Sequence, residues 1–262
     1  MAVVRQLAAL WRRRQLIRTF LVQDLRLKYR RSSLGFLWSL LNPLLMLTVM
    51  ATAFSVVFGR GTGPGSFSLH LFACLLPWQA LAGSIESGSR SLVQGEALLL
   101  QYPLPKVLLV FRRVLFAFVE YLFATLALSI VAWFLGFRAS WALLWLPVAV
   151  LLLFMFALGL ATVAAVAMVF FRDIVHLVGV GMRAWFYMTP VLIPFDRIPP
   201  EAEVYAKLNP AYHFVRIFDD VINWARPPET ATLLTAAALA VASLSLGLYV
   251  ADRNEHRVVF RL

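Results

Sequence analysis

The chain has 262 residues, of which 61% are hydrophobic, and it carries a formal net charge of +11 at pH 7. Soluble domains are usually about 45–50% apolar, and here the excess lies in long runs without charge, which argues against a soluble fold. The one cysteine, Cys74, excludes a disulfide framework and a metal site built from cysteines.

Residues 1–33 form a basic segment ahead of the first apolar run. Apolar side chains recur there at roughly helical spacing, and arginines occupy the other faces. The apolar set is Leu7, Leu10, Trp11, Ile17, Leu21 and Leu25. This pattern predicts an amphipathic helix in the headgroup layer of the cytoplasmic membrane surface. The alternative is a solvated basic arm that only enforces topology, although Trp11 and Phe20 favour the interface.

Six apolar stretches predict six membrane-spanning helices and make residues 34–262 one domain. They are 34–58, 70–85, 114–137, 139–171, 174–195 and 230–251. A crossing needs about 20 apolar residues, each rising about 1.5 Å. The first, fourth and last stretches contain no charged residue. The fifth stretch carries Arg183 and has the weakest support.

The distribution of basic residues orients these spans. Segments 1–33, 86–113, 172–183 and 252–262 hold 18 of the 24 lysines and arginines. Basic loops stay on the cytoplasmic side, so six spans place both termini in the cytoplasm, in a multi-pass protein of the inner membrane. The net charge is therefore mainly a topology signal, and nucleic acid is not an expected partner.

The turn 59–66 has the sequence GRGTGPGS and is glycine-rich without being a phosphate loop. It lacks the GK[ST] ending and falls on the predicted outer side, which favours a flexible turn. No other stretch offers a P-loop. We therefore expect that this chain holds no cofactor and does not hydrolyse ATP itself.

The loop between the second and third spans, about 87–105, is a candidate coupling segment. Residues 87–102 predict a short helix, and Pro103 and Pro105 end it because proline lacks an N–H and restricts the residue before it. A helix parallel to the membrane would transmit force from a cytoplasmic partner. An ordinary connector explains the same pattern equally well.

The segment 194–228 is polar, rich in proline and predicted to lie on the outer side. Within it, Phe214, Ile217, Phe218 and Val221 follow the i, i+3, i+4, i+7 spacing of an amphipathic helix. This helix is too short to span a bilayer. It is either re-entrant, which requires a backbone buried in protein or lining a cavity, or it rests on the outer surface.

The sequence contains no catalytic constellation. The four histidines are scattered without ligand spacing, so no metal site is expected. They are His70, His176, His213 and His256. Glu86 and Glu120 are intramembrane acids and functional candidates by default. A structural contact is the favoured interpretation of Glu86, and Glu120 stays open. A membrane-embedded enzyme would need clustered polar groups, which are missing, and a scaffold is the other non-transport alternative.

Several segments resemble one family in the right order. Residues 24–43, DLRLKYRRSSLGFLWSLLNP, resemble the entry to the first span of polysaccharide-export permeases, the membrane subunits of type-2 ABC exporters. Further landmarks follow along the chain and cover nearly all of it. They are LLLQYPLP at 98–105, FRDI at 171–174, TPV at 189–191 and LNP at 208–210. Arg183 departs from the family pattern, where a neutral polar residue is expected.

The resemblance implies an all-α integral membrane protein with six transmembrane helices, an N-terminal amphipathic interface helix and short outer gate helices between spans 5 and 6. It implies a homodimer with two copies of a separate ABC ATPase subunit, which binds ATP and Mg. The expected substrate is a lipid-linked polysaccharide such as O-antigen. Exporters of a small lipid or drug, or of capsular polysaccharide, are the alternatives.

On this basis we assign two groups of residues. The coupling segment would contact the ATPase, with Leu99 and Tyr102 as apolar anchors, because a few buried anchors usually dominate such interfaces. Its members are Gln94, Glu96, Leu99, Tyr102 and Pro103. The outer gate comprises Asn209, Pro210, Phe214 and Phe218.

Aromatic residues are candidates for the wall of the channel. A sliding polymer cannot be held by many directional hydrogen bonds, each worth roughly 1 kcal/mol, whereas a ring offers sugar a flat face. The candidates are Trp38, Phe54, Trp185 and Tyr187. Tyr187 ranks first and Trp38 second, and packing on membrane lipids or a partner subunit is the alternative. Arg183 would receive the pyrophosphate of a lipid-linked substrate, or would lie at the headgroups if span 5 begins later.

Overall fold

The computed structural model describes residues 6, 8, 10–29, 37–58, 65–102, 104–134 and 136–259, and all regular structure in this part is helical. The α-helices are α1 (Arg14–Tyr29), α2 (Leu37–Phe58), α3 (Phe67–Ser89), α4 (Ser91–Gln94), α5 (Glu96–Gln101), α6 (Lys106–Phe134), α7 (Leu146–Phe170), α8 (Ile174–Met188), α9 (Pro200–Leu208), α10 (Pro210–Ile222), α11 (Thr230–Arg253) and α12 (Glu255–Val259). Single 3₁₀ turns cover Trp141–Trp145 and Phe195–Arg197. The predicted all-α class is confirmed.

A helix occupies each of the six predicted spans. Among the described residues, four of these helices are long and apolar enough to cross a membrane. The four segments are Phe67–Ser89, Lys106–Phe134, Trp141–Phe170 and Thr230–Arg253. Helix α2 has 22 residues and no charged side chain, and the part of it whose side chains the structure describes forms an apolar stretch at Leu41–Phe54. Helix α8, Ile174–Met188, is a shorter apolar helix. The 15 residues of α8 rise only about 22 Å, against a hydrocarbon thickness of about 30 Å. The count of six crossings therefore stays a prediction.

Helix α3 is the centre of the bundle and is buried along most of its length. It contacts α2, α6, α7, α8 and α10. This position explains why α3 is less hydrophobic than a lipid-facing span. Polar side chains such as His70, Gln79 and Ser84 face neighbouring helices instead of lipid.

Helices α7 and α11 cross closely through small residues. A Cβ atom on Gly159 would lie 2.2 Å from the carbonyl carbon of Ser243, and one on Gly247 would lie 2.6 Å from the carbonyl oxygen of Gly159. The hydroxyl of Ser243 donates to the carbonyl oxygen of Phe156 at 2.9 Å. Only small residues allow two backbones to approach this closely, so this contact sets the spacing of the two spans.

The N-terminal helix α1 packs on α6. The guanidinium of Arg112 donates two hydrogen bonds to the carboxylate of Asp24 and lies 4.5 Å from the ring centroid of Phe20. The Ile17 side chain is buried, whereas Trp11 and Leu27 are exposed. The predicted amphipathic helix is therefore present, with one face on the protein and apolar residues left on another.

The short helix predicted over 87–102 has a different form. Helix α3 continues to Ser89, and two short helices, α4 and α5, then follow on either side of Gly95. A Cβ atom on Gly95 would lie 2.4 Å from Cδ1 of Leu109. Because the chain approaches α6 so closely here, one continuous helix gives way to two.

Helix α10 lies inside the bundle. Its predicted apolar stripe, from Phe214 to Val221, is fully buried, and the ring of Phe214 stacks on Phe156 with centroids 4.6 Å apart. The helix contacts α3, α7 and α11. The amphipathic pattern is confirmed, because the neighbouring helices cover this stripe. Whether the helix is re-entrant or rests on the outer surface stays a prediction.

Candidate functional site

A groove of about 450 Å³ lies between α2, α3 and α8. Its lining mixes apolar, aromatic and charged side chains. The main contributors are Met46, Trp78, Gln79, Glu86, Arg183, Phe186 and Tyr187. Helical spacing explains the set: Gln79 and Glu86 are seven residues apart on α3, and Arg183 and Tyr187 are four apart on α8. Each helix therefore presents one stripe to the groove.

Two opposite charges face this groove from different helices. Glu86 comes from α3 and Arg183 from α8, and both line the cavity. Neither forms an ion pair within 4.0 Å with another residue in the described part of the chain. A charged side chain within a membrane span is tolerated where it faces water or a ligand. The groove can therefore offer both a cation and a carboxylate to a bound molecule.

Of the predicted channel rings, Tyr187 has the most open position. Its side chain is 77% exposed, and its ring meets Phe186 edge-on with centroids 5.4 Å apart. Trp38 is exposed at the start of α2 but does not line this groove. Phe54, near the other end of α2, packs against Phe67 with centroids 6.0 Å apart. The structure thus brings Tyr187 and Arg183 together and leaves Trp38 and Phe54 elsewhere.

Trp185 connects α8 to three neighbouring segments of the bundle. Its indole Nε1 donates to Oδ1 of Asn209 at 2.7 Å. Its ring meets Trp78 at 5.8 Å and Phe156 at 6.3 Å between centroids. The side chain is half-buried by these contacts, so we assign Trp185 a positioning role for α8.

Asn209 caps the start of α10 and reaches back to the end of α8. Its Oδ1 accepts the backbone N–H of Ala211 at 3.0 Å, while Nδ2 donates to the carbonyl oxygen of Met188 and the hydroxyl of Thr189. Pro210 follows at the first helical position, where its missing N–H costs nothing. These bonds join the two segments on either side of α9.

The buried face of α10 holds the other predicted gate residues. The ring of Phe218 meets Tyr121 of α6 at 6.2 Å between centroids. On the same helix, the Asp220 carboxylate accepts a hydrogen bond from the guanidinium of Arg226 at 2.7 Å. The same carboxylate oxygen lies 3.5 Å from Nε of Arg216. Burial raises the pKa of the Asp220 carboxyl above its ordinary value, and the two guanidinium groups partly oppose that rise. The predicted gate residues are therefore anchored in the bundle.

A second cavity, of about 240 Å³, lies beneath α1. It is lined by polar groups from four helices, among them Lys28, Asn42, Gln79 and Glu120. Lys28 and Glu120 form an ion pair there. The intramembrane acid Glu120 therefore has a structural partner, which spacing along the chain did not reveal.

The coupling segment divides into a buried and an exposed part. Leu99 is 8% exposed and packs inside the chain, whereas Leu100 is 61% and Tyr102 56% exposed. Gln94 is exposed and accepts from the guanidinium of Arg113 at 3.2 Å. Glu96 begins α5, and Pro103 lies outside the described residues. The large apolar side chains that this segment exposes are therefore Leu100 and Tyr102, whereas Leu99, predicted as an anchor, is buried.

The chain is similar to three curated proteins over most of their length. It is 28% identical over 244 residues to the O-antigen export system permease protein RfbA of Myxococcus xanthus, covering 92% of this chain and 93% of that protein. It is 28% identical over 189 residues to RfbA of Klebsiella pneumoniae, covering 72% of each. It is 20% identical over 245 residues to the polysialic acid transport protein KpsM of Escherichia coli, covering 93% and 95%.

The family assignment rests on a separate match to a family model. The ABC-2 type transporter family matches residues 15–223, which include the groove, the coupling segment and α10. Within the described part of the chain, four helices are long and apolar enough to cross a membrane. The chain is a multi-pass membrane protein and belongs to the ABC-2 type transporter family.

Proposed function

We propose that this chain is the membrane permease of an ABC exporter that moves a lipid-linked, O-antigen-like polysaccharide across the cytoplasmic membrane. The observation that carries the substrate class is the similarity, over 92% of this chain, to a protein named as an O-antigen export permease. Relatives named for polysialic acid transport are less similar, at 20% identity. Capsular polysaccharide is therefore the second candidate, and a small lipid or drug is the third.

The groove supports this proposal by its chemistry. The rings of Tyr187 and Phe186 suit stacking against pyranose sugars, and such stacking forms no directional hydrogen bonds. Arg183 suits the phosphates of a lipid carrier, because a guanidinium forms charge-assisted hydrogen bonds with them. Both chemistries stand on one helix, α8, so a lipid-linked sugar could place its phosphates and its first sugars along the same wall.

A separate ATPase is part of the proposal. The sequence offers no P-loop, so the energy must come from a partner that binds ATP and Mg. Leu100 on α5 and Tyr102 directly after this helix are exposed apolar side chains. They are suited to enter a cleft on that partner, since buried apolar and aromatic anchors usually dominate such contacts. This docking requires α4 and α5 to lie on the cytoplasmic side, where the basic residues also predict both termini.

A homodimer would complete the transport path. Helix α8 exposes Leu177, Val180 and Tyr187 on one face, and a Cβ atom on Gly179 or Gly181 would meet only open space. One copy encloses the groove on one side only. A second copy facing α8 would turn two such grooves into a continuous passage, with two ATPase subunits below.

Reconstitution tests this function directly. The chain and a co-expressed ABC ATPase would be placed in proteoliposomes with a lipid-linked polysaccharide. We expect ATP hydrolysis to rise when the polymer is added and polymer to appear on the opposite side of the bilayer. Stimulation by a free lipid or drug, with none by the polymer, would favour the third candidate and contradict the proposal.

A further inference from the structure

Three buried side chains with metal-ligating atoms meet where α10 crosses the first turns of α3. His70 and Cys74 stand four residues apart on α3 and therefore share a face, and Asp219 reaches them from α10. The Nδ1 atom of His70 lies 2.8 Å from Oδ1 of Asp219. The Sγ atom of Cys74 lies 3.6 Å from that nitrogen and 3.9 Å from that oxygen. All three side chains are fully buried.

These distances are close to those of a tetrahedral zinc centre. With zinc bonds of about 2.0–2.3 Å, neighbouring ligand atoms of a tetrahedron lie about 3.3–3.8 Å apart. The two distances from Sγ already fall near this range. The third, between His70 and Asp219, needs to widen by about half an ångström to reach it. A small rotation of the Asp219 carboxylate provides this.

The charges also favour a divalent cation. A buried carboxylate and a buried thiolate are costly unless a positive charge compensates them. One divalent ion with the Cys74 thiolate, the Asp219 carboxylate and a neutral His70 imidazole gives a net charge of zero. The second oxygen of Asp219, Oδ2, is buried and accepts no hydrogen bond from any described residue. It can bind the ion in place of Oδ1, and the three side chains leave the fourth tetrahedral position to a water molecule.

A neighbouring amide holds the carboxylate in place. The Nδ2 atom of Asn223 donates to Oδ1 of Asp219 at 3.0 Å, and Oδ1 of Asn223 accepts the backbone N–H of Gly65 at 3.0 Å. Such supporting hydrogen bonds orient ligands in metal sites and help to determine their affinity. They also connect the cluster to the turn that precedes α3.

We propose that His70, Cys74 and Asp219 form a binding site for a tetrahedral divalent transition-metal ion, with zinc as the expected occupant. Thiolate and imidazole ligands select zinc over magnesium and calcium, which prefer oxygen ligands. The bound ion fastens α10 to α3 at the end of the bundle that carries the predicted gate. This inference does not rest on the transport proposal. The sequence did not predict the site because Asp219 is 145 residues from Cys74.

Metal content and cobalt spectroscopy test the site. The chain would be produced without a histidine tag, in medium supplemented with zinc or with cobalt, and purified without chelators. We expect about one metal ion per chain and, for the cobalt form, a near-ultraviolet thiolate-to-cobalt absorption band. Cys74 is the only cysteine in the chain, so this band has one possible source. Cys74→Ala should abolish it, and Asp219→Asn should lower the metal content severalfold.

The control is His176→Ala, which removes an exposed histidine on α8 and should leave the metal content unchanged. Helical circular dichroism and a single size-exclusion peak would establish that each variant is folded. The wild-type chain decides the matter even if a variant fails to fold. A folded wild-type protein with less than about a tenth of an ion per chain and no thiolate band would overturn the proposal, as would a band that persists in Cys74→Ala.

Discussion

The indole of Trp185 donates a hydrogen bond to the side-chain oxygen of Asn209 across 2.7 Å. This bond joins the last turn of α8, which lines the groove, to the first turn of α10, which is buried in the bundle. The same oxygen caps α10 through Ala211. The groove wall and the predicted gate are therefore joined by one side chain, and a substitution at Asn209 should alter the packing of both α8 and α10.

Asn209→Ala should destabilise the fold measurably. It removes the N-cap of α10, worth about 1 kcal/mol, and the bond from Trp185, worth about another 1 kcal/mol. Asn209→Asp keeps both acceptor contacts and loses only the two donor contacts, so its effect should be smaller. Thermal unfolding in detergent would rank the variants. If Asp proves as damaging as Ala, the donor contacts to Met188 and Thr189 matter more than the cap.

Arg183→Gln should weaken the response to a lipid-linked substrate. Loss of a charge-assisted contact with a phosphate is worth about tenfold in apparent affinity. The measurement is the substrate concentration that half-maximally stimulates the partner ATPase. Arg138→Gln is the matched control, because Arg138 is exposed and lies outside the groove. Equal responses from both variants and the wild type would remove Arg183 from the binding site.

At Tyr187 the ring, and not the hydroxyl, should matter for transport. Tyr187→Phe should export polymer, and Tyr187→Ala should not, because the flat face lets sugars slide. Trp38→Ala tests the second-ranked ring in the same assay. Trp133→Ala is a control on the exposed face of α6, away from the groove. Normal export by the Ala variants of both Tyr187 and Trp38 would exclude these rings from the channel wall.

Replacing Leu100 and Tyr102 together by Ala should uncouple ATP hydrolysis from export while leaving the fold intact. Both side chains are more than half exposed, so their loss creates no cavity. Leu99→Ala is the contrasting variant. Leu99 is buried, and its truncation should cost about 2–5 kcal/mol of stability. A double variant that binds the ATPase and exports polymer normally would make this segment an ordinary connector.

The predicted orientation is tested by cysteine labelling in a Cys74→Ala background. The basic segments place Asn254 in the cytoplasm and Ala202 outside. An impermeant maleimide applied to intact cells should therefore label Ala202→Cys and not Asn254→Cys, with both labelled after the membrane is opened. Labelling of position 254 in intact cells would reverse or break this topology.

The helices could be predicted from local patterns of apolar residues in the sequence. The apolar runs lie at the positions of α2, α3, α6, α7, α8 and α11, and the stripe from Phe214 to Val221 is the buried face of α10. Helical periodicity is a property of neighbouring residues, so the sequence displays it directly. The same reasoning could not separate Leu99 from Leu100, since adjacent residues of equal hydrophobicity differ only in what lies beside them.

The site residues show the same limit over longer distances. Arg183 was identified because a charged residue in a span is unusual in itself, and Tyr187 because its ring offers sugar a flat face and its hydroxyl tolerates water. The role of Trp185 depends on Asn209, 24 residues later, and the pairing of Glu120 depends on Lys28, 92 residues earlier. No spacing rule relates such positions, because the helices that bring them together cross only in the folded bundle.

The sequence by itself determined that this protein is helical, that it is built for a membrane and which family it resembles. These properties follow from composition, from the length of apolar runs and from short motifs, all of which are read along the chain. The tertiary structure alone decided which side chains share the groove, which part of the coupling segment is exposed and that His70, Cys74 and Asp219 meet. The physical reason is that burial and ligand geometry depend on contacts between distant helices, and these contacts exist only after the helices have packed.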